Sequence, residues 1–125
     1  MMTEKEALTI RRSAKLARVL SSPARLRILM VLREEALCVT SLAERIGRPQ
    51  ANVSQHLMVL RAAGLVVSER EGIRVRYRIR DQRVLRLVDR LTDLAHSLDD
   101  LDAEEVMQRK SCRKGMCGPR GRFWP

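Results

Sequence analysis

Gly47 and Arg48 stand between two short stretches with the apolar spacing of helices, and nothing else separates them. Upstream, Ser41–Leu42–Ala43–Glu44 has the spacing of a capping box, with Ser41 as N-cap and Glu44 as N3. Gly47 is the residue expected to end that helix in a left-handed conformation. Downstream, Pro49 opens a helix that runs to about Ala63 and stops at Gly64. Val53, Leu57 and Leu60 share one face of it, while Asn52, Gln55 and His56 point elsewhere. Two short helices joined this tightly form a helix-turn-helix, a motif whose second helix reads the DNA major groove.

The flanking segments extend the pattern. Glu4 to Leu20 reads as an amphipathic helix. Ser22 caps a second helix, with Pro23 in its first turn, running from Ala24 to about Glu34. That helix is apolar over so much of its surface that it belongs at the centre of the domain. Leu37–Cys38–Val39 is a short extended piece. After the helix-turn-helix come two extended runs, Leu65 to Arg70 and Arg74 to Arg80, around Glu71–Gly72–Ile73. In the second run Arg74, Arg76, Arg78 and Arg80 alternate with Val75, Tyr77 and Ile79. This predicts one buried face and one row of guanidinium groups. A β-hairpin in this position is a wing. From Asp81 to about Met107 a long helix carries Leu87, Leu91, Leu94, Leu98 and Leu101 in a heptad-like stripe, suited to a second subunit.

Charge follows this layout. The chain of 125 residues has net charge +10. Residues 45–80 hold 8 basic and 2 acidic groups, whereas residues 81–108 hold 3 and 8. A basic centre beside an acidic helix marks a localised anion-binding face. Only Tyr77, Phe123 and Trp124 are aromatic, so the core must be aliphatic. No apolar run reaches the ~18 residues of a membrane span, and Met1 to Arg12 has no signal-peptide pattern. A cytoplasmic protein with no membrane partner is expected. Three cysteines there are thiols or metal ligands rather than a disulfide framework. No nucleophile–base pair, phosphate loop or paired carboxylate is evident, so the chain does not read as an enzyme.

Three segments carry a family resemblance. Ser22–Pro23–Ala24–Arg25–Leu26–Arg27–Ile28–Leu29 resembles the S-x-x-R-L-x-I-L opening of ArsR/SmtB repressors. Asn52 to Leu57 and Leu60 to Val66 resemble that family's V-S-x-H-L-x-x-L-R-x-A-G-L-V segment, and Gly72 to Tyr77 resembles its G-x-x-x-x-Y wing. The match covers about residues 10–98, with Pro49 standing where the family often has a serine N-cap. The resemblance implies a mainly α winged helix-turn-helix with a small β-hairpin and dimerisation helices at both ends. It also implies a homodimeric repressor that leaves double-stranded operator DNA when an effector binds. Residues 1–108 form the DNA-binding and dimerisation domain, and residues 109–125 a basic, cysteine-containing, flexible tail.

For DNA, the candidates are Gln50, Asn52, Ser54, Gln55 and His56 on the second helix, with Arg74, Arg76 and Arg78 on the wing. Asn and Gln can read adenine edges, and serine and arginine suit phosphates. His56 is also open to a bond with a neighbouring loop. For sensing, Leu37–Cys38–Val39–Thr40 resembles the family's E-L-C-V-C-D-L metal motif, with Thr40 replacing the second cysteine. Cys112 and Cys117 form a Cys-x4-Cys among basic residues, which favours thiolate. Three thiolates from Cys38, Cys112 and Cys117 match a pyramidal arsenite or antimonite site, with cadmium or lead next. Cys38 reads equally well as a small buried hydrophobe. No organic cofactor is called for. The alternative is a repressor of the same fold whose thiols respond to oxidants or reactive sulfur. The family's second metal site, on the last helix, is incomplete. Asp81 is present, but Arg83 stands where a histidine is needed and Leu94 and Ser97 occupy later ligand positions. Asp93 and His96 remain as a fragment, so zinc, nickel and cobalt are disfavoured.

Overall fold

The computed structural model describes the backbone of residues 1–111 and the side chains of residues 1–100. The elements run α1 (Glu4–Leu20), α2 (Pro23–Leu32), β1 (Leu37–Cys38), α3 (Val39–Ile46), α4 (Gln50–Ala62), β2 (Val66–Glu71), β3 (Arg74–Ile79) and α5 (Gln82–Ser111). The chain divides after Val88, so that Met1–Val88 form one unit and a second begins at Asp89 within α5. Among the described residues no helix is long and apolar enough to cross a membrane.

Local chemistry explains the boundaries. Thr3 and Glu6 cap α1 reciprocally, the Glu6 N–H donating to Thr3 Oγ1 at 3.2 Å and the Thr3 N–H to the Glu6 carboxylate at 2.7 Å. Ser22 caps α2 by accepting from the Arg25 N–H at 3.4 Å, with Pro23 at the first helical position. As its composition predicts, α2 is central. Its Ile28, Leu29 and Leu32 are buried together with Leu42 and Ile46 of α3, Val53, Leu57 and Leu60 of α4, and Val66 and Val88. No described polar or charged side chain is buried. Each such aliphatic side chain stabilises the fold by about 1.5–3 kcal/mol relative to exposure.

The sheet is larger than the hairpin expected from sequence. It has three antiparallel strands in the order β1-β3-β2, and Leu37 and Cys38 pair with Tyr77 and Arg76. This pairing corrects the expected start of α3. Because β1 runs straight into the helix, α3 begins at Val39 with Cys38 as N-cap, and Ser41 lies inside the first turn. No side chain caps this helix, so the proposed Ser41–Glu44 capping box does not form. Pro49 likewise sits one position earlier than expected, as the extended N-cap of a helix that starts at Gln50.

Candidate nucleic-acid interface

The turn between α3 and α4 is built on backbone geometry. Gly47 adopts φ 71°, ψ 36°, and its N–H and that of Arg48 both donate to the Ala43 carbonyl, at 2.9 and 3.2 Å. The Pro49 carbonyl then accepts from the N–H groups of Asn52 and Val53, at 3.0 and 3.2 Å. A residue with Cβ is strained at the Gly47 conformation. This single position therefore fixes how α4 leaves α3.

Burial of Val53, Leu57 and Leu60 turns the opposite side of α4 outward. At about 100° per residue, the ridge opposite this buried face carries Ala51, Gln55, Met58 and Ala62. All four are exposed, Met58 by 70%. Gln50 is exposed at the start of the helix, whereas Asn52 and Ser54 are half-buried on the flanks. Arg48 Nη1 donates to Asn52 Oδ1 at 3.4 Å. Of the sequence candidates on α4, Gln50 and Gln55 are thus the exposed ones. Ala51 and Met58, not among the residues expected from sequence, share the ridge of Gln55.

His56 lies on the inner margin of α4 and is half-buried. Its Nδ1 accepts from Arg25 Nε of α2 at 3.3 Å, and Arg25 Nη1 donates to the Val19 carbonyl of α1 at 3.1 Å. Burial first, then the positive charges of Arg25 and Arg48, hold its pKa below the usual 6.5.

On the wing, the arginines alternate outward as predicted, with Arg74, Arg76 and Arg78 exposed and Val75, Tyr77 and Ile79 half-buried. The row is not uncompensated, however. Arg76 Nε lies 3.0 Å from Glu71 Oε2, and Arg78 Nε is paired with Glu69. Arg74 has no carboxylate partner among the described residues. It lines a cleft of about 600 Å³ with Cys38, Val39, Thr40, Ser41, Val75 and Tyr77.

Comparison with known proteins identifies this arrangement. Residues 22–68 match the model of bacterial regulatory proteins of the arsR family. The transcriptional repressor SmtB of Mycobacterium tuberculosis is 41% identical over 88 residues, which take in 70% of this chain and 64% of SmtB, just under two thirds of its length. The transcriptional regulator CmtR of Mycobacterium bovis is 38% identical over 86 residues, covering 69% of this chain and 73% of CmtR. The chain belongs to the ArsR family. The fold agrees with that of the homodimeric winged helix-turn-helix DNA-binding domain of a possible ArsR-family regulator from Mycobacterium bovis. The TM-score is 0.70 at 29% identity, over 77% of this chain and 89% of that one. NolR from Sinorhizobium fredii superposes with a TM-score of 0.69 at 28% identity, over 75% of this chain and 94% of that one. These relatives are regulators rather than enzymes.

In this ArsR-family chain the expected effector residues are only partly in view. Cys112 and Cys117 lie outside the described residues. Cys38 is a free, half-buried thiol at the N-cap of α3, with Sγ 3.3 Å from Ser41 Oγ. The hydrogen bond shared with the Ser41 hydroxyl is the main cause that holds its pKa below the ordinary thiol value, against a smaller opposing effect of burial. Among the described residues no three His, Cys, Asp or Glu side chains group closely enough to hold an ion. Asp81 is engaged otherwise. Its carboxylate accepts from the Arg83 N–H at 2.7 Å and from Arg83 Nη2 at 2.7 Å, and the Arg83 hydrogen bonds lower its pKa to about 2.

Proposed function

We propose that this ArsR-family chain is a cytoplasmic, homodimeric repressor that binds double-stranded operator DNA through α4 and the β2–β3 wing. The observation carrying this reading is the open ridge of α4, with Gln55 between Ala51 and Met58 and the arginine-bearing strand of the wing in the same unit. Gln55 offers the bidentate donor–acceptor pair that adenine presents in the major groove, and the apolar neighbours suit thymine methyl groups. Arg74, Arg76 and Arg78 supply sequence-independent phosphate attraction. Ser54 and Asn52, on the flanks, suit the backbone of the duplex. Pairing of two chains rests on the leucine stripe of α5, where Leu87, Leu91, Leu94 and Leu98 are 39, 38, 58 and 50% exposed.

Release from DNA is assigned to a thiophilic effector, with arsenite or antimonite first. The hydrogen bond with Ser41 lowers the Cys38 pKa and so favours its thiolate, and Cys112 and Cys117 bring the number of thiols to three. The same thiolate also suits a redox or reactive-sulfur signal. The deciding experiment is anaerobic. The full chain on a duplex selected from a random-sequence library is titrated with arsenite and, separately, with peroxide or polysulfide. Release by arsenite that is lost in Cys112→Ser and Cys117→Ser, with DNA binding retained, supports the metalloid reading. Release by the oxidants alone replaces it with the redox reading. Failure to bind any duplex overturns both.

A further inference from the structure

The Arg25–His56 contact spans three helices. Arg25 belongs to α2, and its own N–H is held by the Ser22 cap. Its guanidinium donates one way to the last turn of α1, at the Val19 carbonyl, and the other way to His56 on α4. An arginine has only donors, so the His56 Nδ1 that receives its Nε–H carries no proton. The ring is therefore neutral with its proton on Nε2, and the bond exists only in that state. The charges acting on the ring are Arg25 from α2 and Arg48 from the turn before α4, both positive, while α1 contributes the Val19 carbonyl through Arg25.

We infer that His56 is a positioning residue of the DNA-binding helix rather than a phosphate contact, and that α4 is held in its DNA-binding placement only while His56 is neutral. The inference rests on the proposed DNA-binding role of α4. Protonation removes the acceptor, sets an imidazolium against two guanidinium groups and frees α4 from the bracket that joins it to α1 and α2. The two roles differ in sign. A histidine touching phosphate gains charge as the pH falls and binds DNA more tightly. A histidine that must accept from Arg25 loses its bond and weakens binding. Because the ring is half-buried beside positive charges, the loss comes at a lower pH than an unperturbed histidine would give.

The test measures affinity of the full chain for a selected duplex between about pH 8 and pH 5, alongside the 15N shifts of the His56 ring. Expected are an unprotonated Nδ1 at neutral pH and a fall in affinity of roughly tenfold or more on the acid side. In Arg25→Ala the ring should titrate at higher pH, since both the bond and the nearest charge are gone. In His56→Gln, whose amide oxygen can still accept from Arg25, the acid-side loss should disappear. Affinity that rises toward acid, a protonated Nδ1, or the same acid loss in His56→Gln overturns the inference. If the chain binds no duplex at any pH, the DNA-binding reading fails. The ring shifts then judge the bracket alone, and a protonated Nδ1 removes it.

Discussion

Glu71 on β2 faces Arg74 in the strand register but pairs with Arg76, two residues further along β3, at 3.0 Å. The Glu69–Arg78 pair repeats the same diagonal. Two of the three arginines of β3 thus arrive already matched to carboxylates, and Arg74 does not. All four paired side chains are about half exposed or more. Such surface pairs are worth only about 0–1 kcal/mol each and can be exchanged for phosphate.

The wing glutamates should therefore restrain DNA binding without reading sequence. Glu69→Gln with Glu71→Gln is expected to raise affinity for any duplex by up to about tenfold, while leaving discrimination between sites unchanged. Arg74→Ala should weaken all duplexes alike and flatten the plot of log affinity against log salt by about one unit. Fluorescence anisotropy over a salt series reads both. An unchanged affinity in the double glutamine variant would show that the arginines do not meet phosphate.

Sequence discrimination should sit on the exposed ridge of α4. Gln55→Ala is expected to cost about 1–3 kcal/mol on the preferred site and little on random DNA. Met58→Ala, further along the ridge, should shift preference at one base position without changing the salt slope. Competition binding against a library with single-base changes gives the answer, and equal losses on preferred and random DNA would move the reading residues elsewhere.

Much of this was legible before the structure. Gly47, the Ser22–Pro23 start of α2 and the alternation along β3 each specify backbone geometry through a local physical rule, and all three hold. The α3 capping box was misplaced because it depended on a partner distant in sequence. Pairing of Leu37 and Cys38 with β3 starts the helix three residues early, and no local rule reports that. Ala51 and Met58 were within reach. Counting at about 100° per residue from Val53, Leu57 and Leu60 lands on them, and it puts His56 only about 60° from the buried face. The Glu69 and Glu71 pairings required the hairpin register, which the run of arginines alone does not set.

Gly47 gives a direct measure of the turn. Nothing lies within 4 Å of the position a Cβ would take, so Gly47→Ala introduces backbone strain without a clash. The expected destabilisation is about 1–2 kcal/mol, with a smaller loss for Gly47→Asn, since asparagine tolerates the left-handed region. Urea unfolding monitored by circular dichroism tests the order of the parent and the two variants. An alanine variant as stable as the parent would mean that the turn relaxes to negative φ.

Assembly should depend on α5. Leu91 and Leu94 are 38 and 58% exposed in the single chain, so replacing both by Asp removes apolar surface from an open face without emptying the core. The buried residues of the core all lie between Val19 and Val88, and unit Met1–Val88 should therefore keep its helical signal and cooperative unfolding. What the variant should lose is pairing. A dimer places its two reading helices on half-sites about one helical turn of DNA apart, and a monomer keeps only one half of those contacts. Sedimentation is expected to show a monomer where the parent is a dimer. Affinity for a palindromic site should fall to that for a single half-site, by at least a hundredfold if the halves contribute about equally, at about 1.4 kcal/mol per factor of ten. A variant that remains dimeric would place the interface on α1, where Leu8 and Ile10 are 47 and 55% exposed. Repeating the substitution at those two positions would then separate the contributions of the two helices.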